Sequence, residues 1–520
     1  ELYSPSKDGP QALLTGFFGD PGNYLKAYQD LREIEPTVAD VSLSLIQGES
    51  VSTVGRPTLA SDMLLQKVEN SPRSQIEERY AQKFLQYKDT VEVEYSANYL
   101  DSDSLIKVVR EPSGLYFVHY AIEPKRLSVN AYKSKYYTTL KLNGVVHSLD
   151  GKLIYQFDKT YTLNMDEAQM KQANVQPFDL NDLFPLIPGT YKLSILVKNE
   201  ISKEFTSLEQ TLVIPGESPA LQMTLPVLGY KTGRADTAKK RIKPFQIGPY
   251  QIYCQPGRVF TKSDTLAVAF QVFGLNPEQK RSGLIRFAFL KDGRTAFEKN
   301  RPIPEVGEFP DVLEEFPLAD FVPAHYNLKV SVVADGRELI AGSEEFDVSH
   351  QAAIPRPWYY SKLMPESGDS IYDYLVGIQL LNSGRAEEAK ASLEKAFQKS
   401  GSSPEIALGL AQAYTALAEY AKIQAVLEPF LAQTQSPKYE IYVLAGQAYQ
   451  KLREFAKAVE IFDQAVSHFG VNVNLLNSIG ECYLELGKTK EALAAWDKSL
   501  EISPNQPQIR KNVQALREKK

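Results

Sequence analysis

A small residue recurs at almost constant spacing along the C-terminal part of the chain. Gly377, Ala411, Gly446 and Gly480 are separated by 34, 35 and 34 residues, and a leucine or tyrosine follows three positions after each of them. In three of the four units an alanine stands twelve positions after the small residue. A period of this length is typical of stacked helix pairs that form a superhelix, whose inner face can hold other polypeptides.

Each unit needs a small residue where its two helices cross closely, with large apolar residues on either side. The second unit departs from this pattern, because Ile423 stands where the other units have alanine and Phe430 stands where they have alanine or, in the fourth unit, Ser499. We therefore expect its two helices to lie slightly further apart. The units read Gly377, Leu380, Ala389, Leu393 and Ala396; Ala411, Tyr414 and Leu427; Gly446, Tyr449, Ala458, Phe462 and Ala465; and Gly480, Tyr483, Ala492 and Trp496, with Pro504 ending the fourth unit.

These residues resemble the tetratricopeptide repeat over about residues 370–519, which would hold four repeats and a capping helix from Gln506 to Lys519. The resemblance implies an α-solenoid that binds a protein partner in a groove. By analogy with the family, the groove is lined by Tyr374, Ile378, Asn382, Glu405, Leu408, Gln412, Thr415, Glu440, Val443, Gln447, Gln450, Asn474, Asn477 and Glu481.

This lining is rich in amides and carboxylates and has almost no lysine or arginine. Amides can hydrogen-bond an extended backbone, and carboxylates favour a neutral or basic segment over an acidic one. The same polar residues would also suit a solvated helix face without a ligand, and the sequence leaves both interpretations open.

The middle of the chain alternates apolar and polar residues between short turns, which predicts two tandem immunoglobulin-like or Greek-key β-sandwiches over residues 89–217 and 244–350. Three matches in the same order suggest a duplication. In the third, Tyr191 and Tyr326 would begin a central strand and hydrogen-bond across a corner. The matches align Leu115–Ile122 with Leu266–Val272, Asp150–Lys159 with Asp292–Lys299, and Pro188–Ile195 with Pro323–Val330.

Residues of about 90–350, with Phe245–Gly248, Tyr253–Phe260 and Phe346–Val348, also resemble the β-modules of bacterial GWxTD-type envelope proteins. The Gly-Trp-x-Thr-Asp signature itself is absent, so no activity attributed to it carries over. The resemblance implies a periplasmic, secreted or cell-surface location. Since the sequence starts at Glu1 rather than a methionine, we expect that a signal peptide was removed.

Three further segments complete the predicted domain organisation. Residues 1–88 are predicted to be mostly helical, residues 218–243 a basic connector, and residues 351–369 a proline-rich linker. In the connector, Lys239, Lys240 and Arg241 either contact an acidic partner or are simply solvated.

Composition and motifs argue against several functional classes. The net charge of −6 argues against nucleic-acid binding. The sequence contains no run of about 18 apolar residues, so it predicts no membrane-spanning helix. The five histidines are scattered, and Cys254 and Cys482 lie in different predicted domains, so we expect buried, unpaired thiols and no metal or cofactor. Neighbouring acids such as Glu314 and Glu315 would point to opposite faces of a strand, which excludes their acting as a catalytic pair.

The sequence therefore predicts a non-enzymatic scaffold that mediates protein–protein interaction or complex assembly, as a homo-oligomer or hetero-oligomer. The alternative is a carbohydrate- or surface-binding protein whose ligand lies on the sandwiches. Its aromatic platform would come from Tyr132, Tyr136 and Tyr137.

Overall fold

The computed structural model describes residues 99–132, 135–173, 176–235, 241–307, 309–361, 364–365, 368–431 and 438–518. Over these ranges a β-rich region precedes a helical C-terminal region, which confirms the predicted class of two β-sandwiches followed by an α-solenoid. The predicted helical region at residues 1–88 lies outside the described residues, as do Lys239 and Lys240.

The first sandwich comprises β1 (Ser102–Arg110), β2 (Tyr116–Pro124), β3 (Asn130–Tyr132), β4 (Lys135–Ser148), β5 (Leu153–Met165), the short helix α1 (Glu167–Ala173), β6 (Phe178–Leu186), β7 (Gly189–Asn199) and β8 (Phe205–Ile214). One of its sheets has the order β1-β2-β6, and the other has the order β5-β4-β7-β8 with β3 added to β4.

The second β region comprises β9 (Gln222–Met223), β10 (Val227–Gly229), β11 (Lys231–Arg234), β12 (Arg241–Ile242), β13 (Gln246–Ile247), β14 (Tyr250–Tyr253), β15 (Val259–Thr261), β16 (Thr265–Phe273), the helix α2 (Pro277–Ser282), β17 (Leu284–Lys291), β18 (Arg294–Pro302), a 3-10 turn (Ile303–Glu305), β19 (Asp311–Pro317), β20 (Ala324–Ala334), β21 (Arg337–Ser349), β22 (Trp358–Ser361) and β23 (Met364–Pro365). Its two main sheets have the orders β10-β16-β19 and β18-β17-β20-β21-β15.

Strand order supports the inferred duplication. The sheets β1-β2-β6 and β5-β4-β7-β8 correspond strand for strand to β10-β16-β19 and β18-β17-β20-β21. This is the immunoglobulin-like arrangement of two facing sheets. Both predicted corners form, because the Tyr191 hydroxyl donates to the Pro188 carbonyl at 3.0 Å and the Tyr326 hydroxyl donates to the Val322 carbonyl at 2.8 Å.

One of the three sequence matches is displaced by one residue from the correct alignment. Every second residue from Tyr116 to Ile122 faces the core of the first sandwich, and every second residue from Leu266 to Val272 faces the core of the second. Aligning Leu115 with Leu266 would superpose opposite faces, because side chains alternate along a strand. The burial pattern pairs Tyr116 with Leu266 instead.

Both predicted connecting segments contain strands in the part that the structure describes. Strand β10 pairs with β16, and β11 pairs with β14, so the segment predicted as a basic connector begins the second β region. Strand β22, predicted as linker, runs parallel to β6 at the edge of the first sandwich. Basic residues are compatible with such strands because their stems pack on neighbours: the Lys231 ammonium lies 5.4 Å from the Tyr253 ring centre.

The solenoid comprises α3 (Ser370–Asn382), α4 (Ala386–Ser400), α5 (Pro404–Ala416), α6 (Tyr420–Leu431), α7 (Tyr439–Lys451), α8 (Phe455–Phe469), α9 (Val473–Glu485), α10 (Thr489–Ile502) and α11 (Pro507–Glu518). The repeating glycines lie where the helices cross: a Cβ on Gly446 would lie 2.4 Å from the Phe462 ring, and one on Gly480 would lie 2.4 Å from Trp496 Nε1. Helix α11 buries Ile509 and Val513 in one cluster with Trp496, so it caps the last repeat as predicted.

A second feature repeats with the same period. The turns between paired helices place Gly384, Ala418, Arg453 and Gly487 at φ values of 87°, 58°, 63° and 75°. Glycine adopts this left-handed region without strain, whereas alanine and arginine do so at an energetic cost. The first and last repeats thus use the residue that the turn favours, and the two middle repeats do not.

Candidate protein-binding groove

The first sandwich docks onto the first helix of the solenoid through Gln379. This side chain is fully buried. The Ile187 amide donates to Gln379 Oε1 at 3.0 Å, and Gln379 Nε2 donates to the Pro185 carbonyl at 2.8 Å. The amide therefore binds the backbone at the end of β6 as a neighbouring strand would.

Two further contacts fix this joint. Asn382 Nδ2 donates to the Ile154 carbonyl of β5 at 3.0 Å. The rings of Phe117 and Tyr372 meet edge to face with their centroids 5.1 Å apart. In the second repeat the position equivalent to Gln379 is Ala413, which is buried in the solenoid core. The sandwich thus occupies the place that a preceding repeat would take, and Asn382, predicted as groove lining, belongs to this joint.

The other predicted lining residues fall into rows with one member per repeat. Gln412, Gln447 and Glu481 occupy equivalent positions on α5, α7 and α9, and all three are exposed. Leu408, Val443 and Asn477 form a neighbouring row and are half-buried. We call the face formed by these two rows, together with Glu405, Glu440 and Asn474 of the next row, the groove face. In the first repeat, Tyr374 and Ile378 are half-buried and lie against Gly409 of α5.

Several of the predicted polar groups already have partners inside the chain. Gln450 Nε2 donates to Glu481 Oε2 at 3.0 Å, and Asn477 Nδ2 donates to Gln506 Oε1 at 2.8 Å. The Thr415 hydroxyl donates to the Ala411 carbonyl at 2.8 Å. Gln412 and Gln447, in contrast, make no side-chain hydrogen bond with any residue that the structure describes. These two amides are the groups that remain available to a ligand backbone.

The charge of the groove face is negative. Glu405 pairs with Lys438 and accepts a hydrogen bond from the Ser403 hydroxyl at 2.7 Å. The contact with Lys438 is the main reason, and the bond from Ser403 the second, why the pKa of Glu405 is lowered to about 2. Lys438, which was not among the predicted lining residues, has its charge compensated by this ion pair. Glu440 is exposed and has no ion pair within the described ranges. Glu440 and Glu481 therefore leave uncompensated negative charge on the third and fourth repeats.

The predicted tyrosine platform does not form as one surface. Tyr132 and Tyr137 are 64% and 36% exposed and lie on the same face of the β3–β4 hairpin. Tyr136 pairs with Ala131 and points to the opposite face, because side chains alternate along a strand. Of the basic cluster, Arg241 is exposed in β12, next to β23.

The acidic pairs and cysteines have structural environments. Glu314 is buried against Lys299 and Arg301, whereas Glu315 accepts a hydrogen bond from the Thr232 hydroxyl at 2.8 Å, so the two carboxylates point apart as predicted. Cys254 and Cys482 are buried and unpaired, and burial raises the pKa of Cys482 to about 12. The described residues contain no group of three or more histidine, cysteine or acidic side chains that could hold a metal ion. Within these ranges no helix has the length and apolar character needed to cross a bilayer.

Family models of the tetratricopeptide repeat match residues 380–445 and 443–507. Among solved structures, one titled MamA MSR-1 C2 is 23% identical, covers 29% of this chain and 86% of its own, and has a TM-score of 0.26. TTC0263, described as a thermophilic TPR protein in Thermus thermophilus, is 22% identical, covers 28% of this chain and 81% of its own, and has a TM-score of 0.23. Scores this low transfer no property to this chain.

Proposed function

We propose that this chain, whose residues 380–507 are tetratricopeptide repeats, is a non-enzymatic scaffold that holds a protein partner against the groove face. Repeats of this type present extended surfaces to other polypeptides. The observation that carries the proposal is the pair of exposed amides, Gln412 and Gln447, which stand one repeat apart beside the apolar Leu408 and Val443. A free amide can both donate to and accept from the backbone of an extended ligand.

The way the folded parts are joined supports a scaffolding role. Gln379 ties the solenoid to the first sandwich, and Gln271 ties the second sandwich to the first. Gln271 Oε1 accepts from the Arg110 amide at 2.7 Å, and its Nε2 donates to the Arg110 carbonyl at 2.8 Å. A partner bound on the repeats would therefore be held in a defined orientation relative to both sandwiches.

Purification of the intact chain from its native source, followed by identification of co-purifying proteins, tests the proposal. The double variant Gln412→Ala with Gln447→Ala should weaken retention of the partner about tenfold or more, since each lost hydrogen bond contributes about 1 kcal/mol. The matched control is Glu460→Ala with Glu491→Ala, two exposed residues on the second helices of their pairs. Equal retention by both double variants would contradict the proposal, as would a monomeric chain that retains no partner.

The proposed place of action is the bacterial envelope. This part of the proposal rests on the resemblance of residues 90–350 to envelope β-modules. Fractionation of the native cells, with antibody detection of the intact chain, should find it outside the cytoplasm. Recovery in the cytoplasmic fraction would contradict this location and leave the groove proposal intact.

A sugar-binding role for the first sandwich is the second candidate. It is supported by Tyr132 and Tyr137, which are exposed on one face of a hairpin. Aromatic faces suit the apolar side of sugar rings because both bury apolar surface on contact. A glycan array probed with the intact chain should give a signal that the double variant Tyr132→Ser with Tyr137→Ser loses. An array without any signal would reject this candidate.

A further inference from the structure

We infer that the groove takes an extended polypeptide segment with a bulky apolar side chain near one end and lysine or arginine towards the other, and that the first sandwich supplies part of the wall for the apolar end. This inference rests on the proposed function, since it specifies the partner of the same groove.

The groove is apolar where it meets the sandwich. Tyr374 and Ile378 are half-buried on α3, and the half-buried Tyr155 of the neighbouring strand β5 packs against the same apolar cluster as both of them. The hydrogen bond from Asn382 to the Ile154 carbonyl, 3.0 Å long, fixes this strand beside α3. Two aromatic rings and an isoleucine therefore border the first repeat, and Tyr155 comes from outside the solenoid. An apolar side chain that packed here would be stabilised by burial of its surface.

The same positions become polar along the solenoid. The residue equivalent to Ile378 is Gln412 in the second repeat, Gln447 in the third and Glu481 in the fourth. The position of Tyr374 becomes leucine, then valine, then Asn477. The groove thus has a direction, apolar at the sandwich and polar at the C-terminal end, which a ligand of uniform character would not match.

The polar end is also anionic. Glu440 has no ion pair within the described ranges, and Glu481 accepts a neutral hydrogen bond from Gln450. Lys438, which lies beside the lining, is held by Glu405. Complementarity therefore favours a cationic side chain at the third and fourth repeats and disfavours an acidic one.

The distance between the two ends sets the spacing in the ligand. Neighbouring helices pack about 8–10 Å apart, so two to three steps from α3 to α7 or α9 span roughly 20–30 Å. An extended chain rises about 3.3 Å per residue, which corresponds to about six to nine residues. The segment should carry its apolar and basic residues at about that separation.

Fluorescence anisotropy with the intact chain and labelled twelve-residue peptides tests the inference. The probe has a phenylalanine and, eight residues later, two lysines in a Gly/Ser background. Matched peptides replace the lysines by glutamates, or the phenylalanine by serine. We expect the Phe/Lys peptide to bind at least tenfold more tightly than either, with a preference that weakens as salt increases.

Variants of the chain assign the preference to the groove. Glu440→Lys with Glu481→Lys should reverse it, so that the glutamate peptide binds more tightly than the lysine peptide. Tyr155→Ala should weaken binding of the phenylalanine peptide and leave binding of the serine peptide unchanged. Tyr155→Leu should restore most of the lost affinity. The charge control is Glu460→Lys with Glu491→Lys, which should leave the order of the peptides unchanged; circular dichroism checks that each variant is folded.

Each other outcome overturns the inference. The inference is overturned if the native chain prefers the glutamate peptide. It is also overturned if the variant Glu440→Lys with Glu481→Lys still prefers the lysine peptide. Absence of binding by all the peptides would also overturn it, while the proposed function stands if Gln412→Ala with Gln447→Ala still releases the native partner. Retention of that partner by the double variant would overturn the proposed function itself.

Discussion

The first sandwich has two joints, one to the solenoid and one to the second sandwich, and they share a device but differ in their surroundings. Each is tied by a buried glutamine that bonds strand backbone with both ends of its amide, Gln379 in one and Gln271 in the other. Besides the hydrogen bond from Asn382 to the Ile154 carbonyl, the solenoid joint is an apolar cluster that includes Phe117, Leu183 and Tyr372.

The joint between the sandwiches combines an apolar cluster, in which Leu105 and Val109 meet residues of the second β region, with buried charged and polar groups. Lys107, 4% exposed, pairs with Glu344 of the second sandwich, and the buried His119 accepts a hydrogen bond from the Phe245 amide at 2.7 Å. Glu111 of the first sandwich follows Arg110, which is bonded to Gln271, and Gln271 Nε2 also donates to Asp311 Oδ1 of the second sandwich at 2.8 Å. The two joints therefore share the glutamine and an apolar cluster, and the joint between the sandwiches adds buried titratable groups that make it respond to pH.

The largest difference between the joints should appear when the buried ion pair is broken. Lys107→Met leaves Glu344 with Arg258 at 3.4 Å as its remaining cation. Loss of one partner from a buried pair lowers the free energy of unfolding by about 3 kcal/mol or more. Urea denaturation of the intact chain measures the effect. Lys329→Met, which removes an exposed pair with Glu338, is the control and should lose less than about 1 kcal/mol.

Removal of the glutamines should have the next largest effect. Gln379→Leu leaves the Ile187 amide and the Pro185 carbonyl without partners. Since a buried group left unpaired costs about 1–3 kcal/mol, we expect a loss of about 2–4 kcal/mol. Hydrogen exchange should show earlier opening of α3 and β6. If Gln271→Leu loosened α3 to the same extent, the two joints would not be independent.

The pH dependence should come from the joint between the sandwiches. The pKa of Glu111 is raised from its ordinary value of 4.5 to about 7. Burial is the main cause, and the negative charge of Asp311 is the second. The folded state binds this proton more tightly than the unfolded one, so its stabilising contribution is complete below pH 4.5 and is lost as the pH rises through 7. Between about pH 6 and pH 8 this single group should lower the free energy of unfolding by about 1 kcal/mol. Glu111→Gln should remove this contribution, and the decline that remains belongs to Glu123, whose pKa burial also raises to about 7.

The buried His119 affects the free energy of unfolding at acidic pH. Burial lowers its pKa to about 3, so the unfolded chain binds a proton more tightly below its ordinary value of 6.5. Stability should therefore also fall as the pH decreases from about 6.5 towards 3. Together the two groups place the maximum at about pH 5.5, where their opposing proton uptakes cancel, and a profile that rises continuously from about pH 6 to pH 8 would contradict the assignment of Glu111.

The smallest effect concerns the solenoid itself. Arg453 has a φ of 63° in a turn where the first and last repeats have glycine. Arg453→Gly should raise the free energy of unfolding by about 0.5–1 kcal/mol, because relief of the left-handed strain exceeds the added entropy of the unfolded chain. Thermal denaturation measures this, and Gly487→Ala in the equivalent turn should have the opposite sign.

Local and periodic features could be predicted from the sequence. The repeat period, the duplicated sandwich and the corners at Tyr191 and Tyr326 depend on residues close together in the chain, and the structure contains them. The strand β22 could not be predicted, because it pairs with β6 across about 180 residues and its proline-rich flank is typical of a linker. Pairing between distant segments leaves little local signal.

The joint at Gln379 did leave a signal in the sequence. The equivalent positions in the later repeats are Ala413, Ala448 and Cys482, all of them small and buried. A glutamine at such a position indicates that the first repeat packs against polar backbone rather than against another helix pair. The internal hydrogen bonds of Gln450 and Asn477, by comparison, depend on side-chain rotamers that periodicity does not specify.

The covering of the solenoid at both ends limits how such a chain can change in length. An in-frame duplication of one repeat inside the array would add a further pair of helices and lengthen the groove by one step. A repeat inserted before α3 would have to reproduce the surface that β6 now provides, and one added after α10 would displace α11. Growth by tandem duplication is therefore compatible with the middle of the array, where the turn residues Ala418 and Arg453 also depart from glycine.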